Sequence, residues 1–583
     1  MALYDRFPSL AAGTSDECIT GWSAIGVHLR SKVGSRGALM VECYPGINLQ
    51  EIEQALRLVF PDATFLNTEM LLRPPQAIDA MLEPLLGDDP VFGRMNELEI
   101  VDFFDPEKLA AAQKQCVIAS DEHVVIIGTG ASLVCPSPAL LVYADLARWE
   151  IQMRQRRNEI GNFGADNRNE TPALKYKRSF FVDWRSADRL KMRLFDNIDV
   201  LLDTNVPNQP KAIDGDIFRR SLRTLVLRPF RVVPFFDPGP WGGHWMERVC
   251  GLPADGAPNH AWCFDCVPEE NSLLLAFGDQ RVEIPSINLV LAHPKELLGH
   301  DVVGRFGAEF PIRFDFLDTV GGGNLSLQVH PLTSYIREHF GMDYTQDESY
   351  YLLDAEEGAC VYLGLKEGID RSAMLHDLHR GQEEDFDFPA EKYVNQFPAR
   401  KHDHFLIPAG TVHCSGKGSM VLEISATPYI FTFKLWDWGR VGLNGSPRPI
   451  HLAHGEANIQ WDRTTDWVRR SLINRVEPIA SGEGWREERT GLHELEFIET
   501  RRHWFTGTVP HDTEGTVHVL NLIEGDEVVV ESPSQAFEPF VVHYAETFIV
   551  PAAVGPYTIR PTRPTGGREY GTIQARVRVA SGN

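Results

Sequence analysis

The sequence predicts a multidomain protein: an N-terminal α/β unit on a parallel sheet, then two β-barrels, the first carrying a helical insertion. Three observations carry this expectation. The chain has 583 residues, too many for one core, and roughly three domains is the expectation for that length. Strand and helix patterns alternate up to about residue 225, whereas short apolar strands broken by Gly, Pro and Asp dominate from about Phe230. The stretch Phe405-Leu-Ile-Pro-Ala-Gly-Thr-Val-His413 is also echoed by Phe548-Ile-Val-Pro-Ala-Ala-Val-Gly-Pro556, as two copies of one small barrel would show.

Taken in order, ALMVECYPGINLQEIEQAL (38–56) reads as strand, turn and helix. HVVIIGTGASLV (123–134) contains a buried-strand run, and ALLVYADLARWEIQMRQRR (139–157) a strand followed by a basic helix. RSFFVDWRSADRLKMRLFDNIDVLLDTN (178–205) is expected to repeat strand and helix. These elements make 1–225 one α/β domain. Residues 226–458 form the first barrel, with strands in FPIRFDFLDTV (310–320), SLQVHP, SYYLLDA (349–355), GACVYLGL (358–365), HFLIPAGTVHC (404–414), SMVLEISA (419–426) and YIFTFKLWDW (429–438). An acidic, helix-prone insertion interrupts it near 366–400, and residues 459–583 form the second barrel.

Composition narrows the function. The net charge of −25 argues against nucleic-acid or anionic-membrane binding, which calls for a basic surface. The start of the chain lacks a basic region followed by an apolar run, and no stretch reaches about 18 consecutive apolar residues, so neither a signal peptide nor a membrane span is expected. Nine dilute cysteines fit reduced thiols in a cytoplasmic protein, and the single CFDC pair, Cys263 and Cys266, fits a structural role.

The chemistry concentrates on "GNLSLQVHP" (323–331). As a strand it puts Ser326, Gln328 and His330 on one face. Gln328 and His330 then offer two ligands from one strand, Glu348 stands at the start of a following strand, and His413 closes the turn PAGTVH. All four offer nitrogen or oxygen and none a thiolate, a set that suits Zn2+ or another divalent ion such as manganese, iron or cobalt. In the N-terminal part, GTGASL (128–133) does not complete a dinucleotide loop, and CYPGIN (43–48) sits where a phosphate loop would but lacks the lysine and hydroxyl.

LSLQVHP, a Glu before an aromatic strand, and IPAGTVH resemble the class I mannose-6-phosphate isomerases of the cupin superfamily. PGPWGGHW (238–245), PIRFDFLD (311–318), VLEIS (421–425), KLWDWGR (434–440) and ETFIVPAAVGPYTI (546–559) match in the same order, over about residues 230–583. The resemblance implies cupin-type barrels, a metal held by Gln328, His330, Glu348 and His413, and aldose–ketose interconversion of a phosphorylated hexose. It implies catalytic roles for Lys434 and Glu423 and substrate contacts from Ser326, Arg440 and Lys417. With Pro556 where the first barrel has His413, the second is expected to be metal-free. Four positions depart from the family: Gln346 replaces a lysine near the glutamate ligand, Leu332-Thr333 follows QVHP, and Lys434 stands for an arginine. Lys401 and Arg448 are further cations that could serve the substrate. The N-terminal strand order loosely resembles nucleoside-kinase-like domains of the P-loop class, here degenerate, with Arg148, Arg154, Arg156 and Arg157 expected on a solvated helix face.

The leading expectation is a metal-dependent aldose–ketose isomerase acting on a small-molecule sugar or sugar phosphate, with no nucleic-acid or membrane partner and with a homo-oligomer as an option. The alternative is a non-catalytic, sugar-binding regulatory protein using the same metal site. An iron-dependent oxygenase is a third reading.

Overall fold

The computed structural model describes residues 3–34, 37–118, 123–253, 256–383, 386–426, 429–491 and 493–578. It divides into two compact units. One comprises Ser9–Leu225 with Ser272–Ala292, the other Met1–Pro8, Val226–Asn271 and His293–Asn583.

The first unit is built on a seven-stranded sheet. Thr64–Asn67, His123–Gly128, Gly37–Cys43, Leu140–Asp145 and Val200–Asp203 run parallel in that spatial order. Lys211–Asp214 and Ile19–Thr20 extend one edge antiparallel. The central strands are apolar on both faces, as helix-covered strands must be. The helix Leu49–Val59 follows the CYPGIN loop, with Asn48 capping it by accepting from Glu51 N–H.

Two features of this unit differ from expectation. Residues 178–183 do not form a strand. Pro172–Arg178, a π-turn at Ser179–Asp183 and Trp184–Leu194 make one helical run. Apolar residues FFV buried in a helix and in a strand look alike over so short a window. Secondly, Ser272–Ala292 lies with residues 9–225 and not with the segment 226–458, because Ser272–Phe277 pairs parallel with Ser9–Gly13 and antiparallel with Gln280–Pro285. That pairing spans more than 260 residues of sequence and carries no local signal.

The basic helix Arg148–Arg156 is likewise not a solvated face. Arg148 is fully buried and donates to Asp188 and the Tyr44 hydroxyl, and Arg154 pairs with Glu150 at 2.9 Å. Lys191 pairs with Asp145 at 2.7 Å and donates to Asn288 Oδ1. Arg156 and Arg157 keep the exposed positions expected of them.

The second unit holds two pairs of antiparallel sheets. In the first pair, the six-stranded sheet runs His404–Ile407, Asp347–Ala355, Ser419–Ala426, Arg313–Asp318, Trp262–Cys266, Phe235–Asp237. The five-stranded sheet runs Val394–Pro398, Cys360–Leu365, His413–Ser415, Leu327–Val329, Phe433–Trp436. The 366–400 segment contributes the helices Arg371–Glu383 and Ala390–Tyr393, but then adds the edge strand Val394–Pro398. Cys263 and Cys266 are free and buried in their strand, with burial pushing both thiols up.

In the second pair, six strands (Glu477–Gly482, Trp485–Arg489, Ile498–Phe505, Tyr570–Val577, His518–Glu524, Thr547–Val550) face four (Val509–Asp512, Pro556–Pro561, Glu527–Glu531, Phe540–His543). A shared core that includes Phe505, Leu520, Phe548, Val528, Val530 and Ile559 joins them. The sequence echo has a structural counterpart: Pro556 opens its strand where His413 opens the strand His413–Ser415.

Candidate metal centre

Strand register brings the site together. Gln328 pairs directly with His413 on one side and with Lys434 on the other, so all three side chains share one face of the five-stranded sheet. Ser326 precedes Gln328 by two and His330 follows by two, extending the same row. From the opposing sheet, Glu348 aligns with Ser425, and Tyr350 with Glu423 and hence Asp315. Glu348, Tyr350, Glu423, Ser425, Arg313 and Asp315 therefore occupy one face too.

His330, Glu348 and His413 meet where these faces oppose. They are the one group of described residues whose His, Cys, Asp or Glu ligand atoms all lie within 4.8 Å of one another in a set of three or more. Each imidazole is fixed by its far nitrogen: His330 Nδ1 lies 2.8 Å from Phe431 O, and His413 Nδ1 lies 2.8 Å from Thr411 O. This leaves both Nε2 atoms pointing to Glu348, at 3.0 and 2.8 Å. Gln328 Nε2 stands 3.2 Å from His413 Nε2, and a half-turn of the amide presents Oε1 at the same place.

The turn carrying His413 is held firmly. Gly410 adopts φ +87°, and a Cβ there would meet Asn458 O at 2.9 Å. Gly410 N–H donates to His330 O at 2.9 Å, tying the turn to the other histidine. Arg463 donates to Pro408 O, Ala409 O and Thr411 Oγ1, and Asp347 accepts from Ala409 N–H.

Two observations test whether a cation fits. His330 Nε2 and Glu348 Oε1 are buried and meet no aligned hydrogen-bond partner, a costly arrangement that a metal ion would repay. The donor set is two neutral-capable imidazoles, one carboxylate and one amide, which suits a divalent ion. Burial would raise the Glu348 carboxyl, but the two imidazoles hold it well below the usual range. Asp315 and Glu423 behave oppositely. Burial and neighbouring carboxylates push Asp315 up to about 7 and Glu423 well above its ordinary value. The ionised charge facing the imidazoles is thereby concentrated on Glu348.

Gln346 has a distinct task. Its Nε2 donates to Glu348 Oε2 at 3.1 Å while its Oε1 accepts from Phe431 N–H at 2.9 Å. One amide thus aims the carboxylate and ties it to the residue whose carbonyl fixes His330.

Beside the centre lies a cationic group gathered on Asp437. Arg440 pairs with it at 2.7 Å, Arg448 at 2.8 Å, and Ser326 Oγ donates to it at 2.9 Å. Arg448 also donates to Ser326 Oγ at 3.2 Å. Lys434 is partly exposed at the edge of this group, and desolvation with the nearby Arg448 draws its ammonium down to about 8. Lys417 is exposed on the turn after His413–Ser415, its N–H donating to Asn324 Oδ1. Lys401 is paired with Glu524, a residue of the C-terminal sheets. Sequence reasoning missed Asp437 and the aiming role of Gln346. Asp437 lay inside the KLWDWGR match, so its position was visible while its three partners were not.

A family described as a domain of unknown function (DUF8485) matches residues 21–227. The chain is 27% identical over 214 residues to the mannose-6-phosphate isomerase of Streptococcus mutans, covering 36% of this chain and 61% of that protein. It is also 27% identical over 228 residues to mannose-6-phosphate isomerase ManA of Bacillus subtilis, covering 39% and 67%. The match thus spans about three fifths of the Streptococcus mutans protein's length. Among solved structures, mannose 6-phosphate isomerase from Bacillus subtilis aligns at 19% identity with a TM-score of 0.49, over 60% of this chain and all of that one. No described helix is long and apolar enough to cross a membrane.

Proposed function

We propose that this protein is a metal-dependent aldose–ketose isomerase acting on a hexose phosphate of the mannose 6-phosphate/fructose 6-phosphate kind. The observation that carries the reading is the convergence of His330, Glu348 and His413 from opposed sheets, with Gln328 alongside, in a chain part of which is similar to mannose-6-phosphate isomerases. The 226–458 segment apart from Ser272–Ala292 and the 459–583 segment are read as two cupin-type barrels, and the N-terminal unit with Ser272–Ala292 as an α/β domain.

Gln328, His330, Glu348 and His413 would hold the ion, zinc being the first candidate. When bound, it polarises a sugar carbonyl and steadies negative charge developing on oxygen. The chain's own residues do the rest. Isomerisation moves a proton between adjacent sugar carbons, and a positioned group must take it and return it. Lys434, drawn down to about 8, is partly neutral near neutral pH and can accept a proton there. Burial and the neighbouring Glu348 and Asp315 carboxylates raise the Glu423 carboxyl, which favours a proton donor's role over a base's. Arg440, Arg448 and Ser326 provide a guanidinium-rich surface for a phosphate, with Asp437 holding them in place until substrate competes for them. Exposed Lys417 adds charge at the rim.

That same pairing of Arg440 and Arg448 with Asp437 favours the second reading, a sugar-binding regulatory protein, because both guanidiniums are already engaged by one carboxylate that offsets one of their two charges. Metal analysis of purified protein, with chelation and re-addition during assays of aldoses and ketoses with and without phosphate, separates the two. Isomerisation that is lost on chelation, restored by metal and abolished in His413→Ala supports the enzyme. Failure to isomerise any hexose overturns it, and sugar binding without turnover favours the regulator.

A further inference from the structure

A second group of histidines lies inside the C-terminal pair of sheets, away from every residue assigned above. Register fixes its position. His503 shares a face with Phe505, His518 with Leu520, and His511 with Val509, and all three apolar partners belong to the core between the sheets. His511 pairs with Tyr557, and Gln574 with Leu520. Toward one end of this core, then, apolar lining gives way to three imidazoles, an amide and a phenol.

Each ring is engaged through one side and free on the other. His503 Nε2 lies 3.5 Å from Glu487 Oε1, while its Nδ1 is buried and meets no hydrogen-bond partner. His518 Nδ1 lies 3.0 Å from the Tyr557 hydroxyl, while its Nε2 is buried without a partner. His511 stacks on Tyr557 with ring centroids 4.8 Å apart and 7° between planes, is hydrogen-bonded by Gln574, and keeps Nε2 buried without a partner. The His503 and His511 rings stand 4.5 Å apart. His503 and His518 are 2% and 1% exposed. Three orphaned nitrogens in one core are costly unless something answers them. An imidazole anchored by an outer carboxylate, amide or hydroxyl, with its other nitrogen bare, has the form of a metal ligand.

We propose that His503, His511 and His518 form a second metal site, for a divalent late first-row transition ion such as zinc or cobalt. Glu487 supplies the nearby negative charge, itself balanced by Arg501 at 2.9 Å. The site uses strands other than the one that opens at Pro556, so the loss of a histidine there does not remove it. Because, among the described residues, only the first centre has all its ligand atoms within 4.8 Å, the triad is the wider of the two, and its bare nitrogens must draw closer together to close on an ion. The weaker affinity of the two is expected here.

Tag-free full-length protein, stripped with chelator and titrated with cobalt(II) in equilibrium dialysis, tests this directly. Wild type is expected to take up two ions per chain, with nitrogen-ligand cobalt absorption for both. His330→Ala/His413→Ala should keep one, the weaker, and His503→Gln/His518→Gln should keep the tighter one alone. Saturation of wild type at a single ion overturns the proposal, as does a second ion that survives His503→Gln/His518→Gln. If that variant does not fold, wild-type stoichiometry and the His330→Ala/His413→Ala variant still decide. The readout counts ions, so it is independent of whether the first centre isomerises sugars.

Discussion

Replacing Gln346 by leucine removes the amide that aims Glu348 while nearly preserving side-chain volume. The donation to Glu348 Oε2 at 3.1 Å is lost, and Phe431 N–H loses its acceptor at 2.9 Å. A hydrogen bond to a charged group contributes about 1.5–3 kcal/mol, and a buried amide deprived of its acceptor costs about 1–3 kcal/mol. The variant should therefore unfold about 3 kcal/mol more easily, toward the lower end of the combined range because the Glu348 carboxylate can reorient. Phe431 also holds His330 Nδ1 through its carbonyl, so slack at Phe431 reaches two ligands at once. Outer supports of this kind typically change metal affinity by about 10–100-fold. Competition against a chromophoric chelator measures the affinity, and urea unfolding of the stripped protein measures the stability. If affinity stays within about twofold of wild type, Gln346 does not aim Glu348 and the reasoning fails.

Two further predictions concern buried charge. Arg148→Met leaves Asp188 ionised and buried without its main partner, so the variant should lose about 3–5 kcal/mol, and Arg148→Met/Asp188→Leu should recover much of it in denaturant unfolding. His404 is held down to about 3 by burial and by Arg502, and both its ring nitrogens lack partners. Its folded value lies below the unfolded value of about 6.5, so the unfolded state binds the extra proton as pH falls and stability is lost from about pH 6.5 downward. His404→Phe should remove about 2 kcal/mol of the stability difference between pH 7 and pH 5, read from urea unfolding at the two values. An unchanged pH dependence would exclude His404 as a source of acid sensitivity.

Much of the centre was legible before any coordinates. Alternation in "SLQVH" requires Ser326, Gln328 and His330 to share a face if the segment is extended, and Leu327–Val329 is a strand. Pro408 and Gly410 in PAGTVH mark a turn that fixes where His413 emerges, and the positive φ at Gly410 explains the glycine. The parallel sheet of the N-terminal unit followed from strands separated by helical patterns. The helical run at 172–194 did not, because burial of FFV is equally compatible with either state over three residues.

What the sequence by itself determined was whatever depends on neighbours along the chain: the period-two rows, the turn glycine, the order of strands and helices, and the chemical types on offer. Only the tertiary structure decided which of those types meet. It placed Glu348 opposite His330 and His413, tied Arg440, Arg448 and Ser326 to Asp437, turned the expected solvated arginines Arg148 and Arg154 inward, and returned Ser272–Ala292 to the first unit. Each of these rests on pairing between residues up to hundreds of positions apart, where energy depends on distance and burial. Local pattern records neither, whereas backbone alternation needs nothing else.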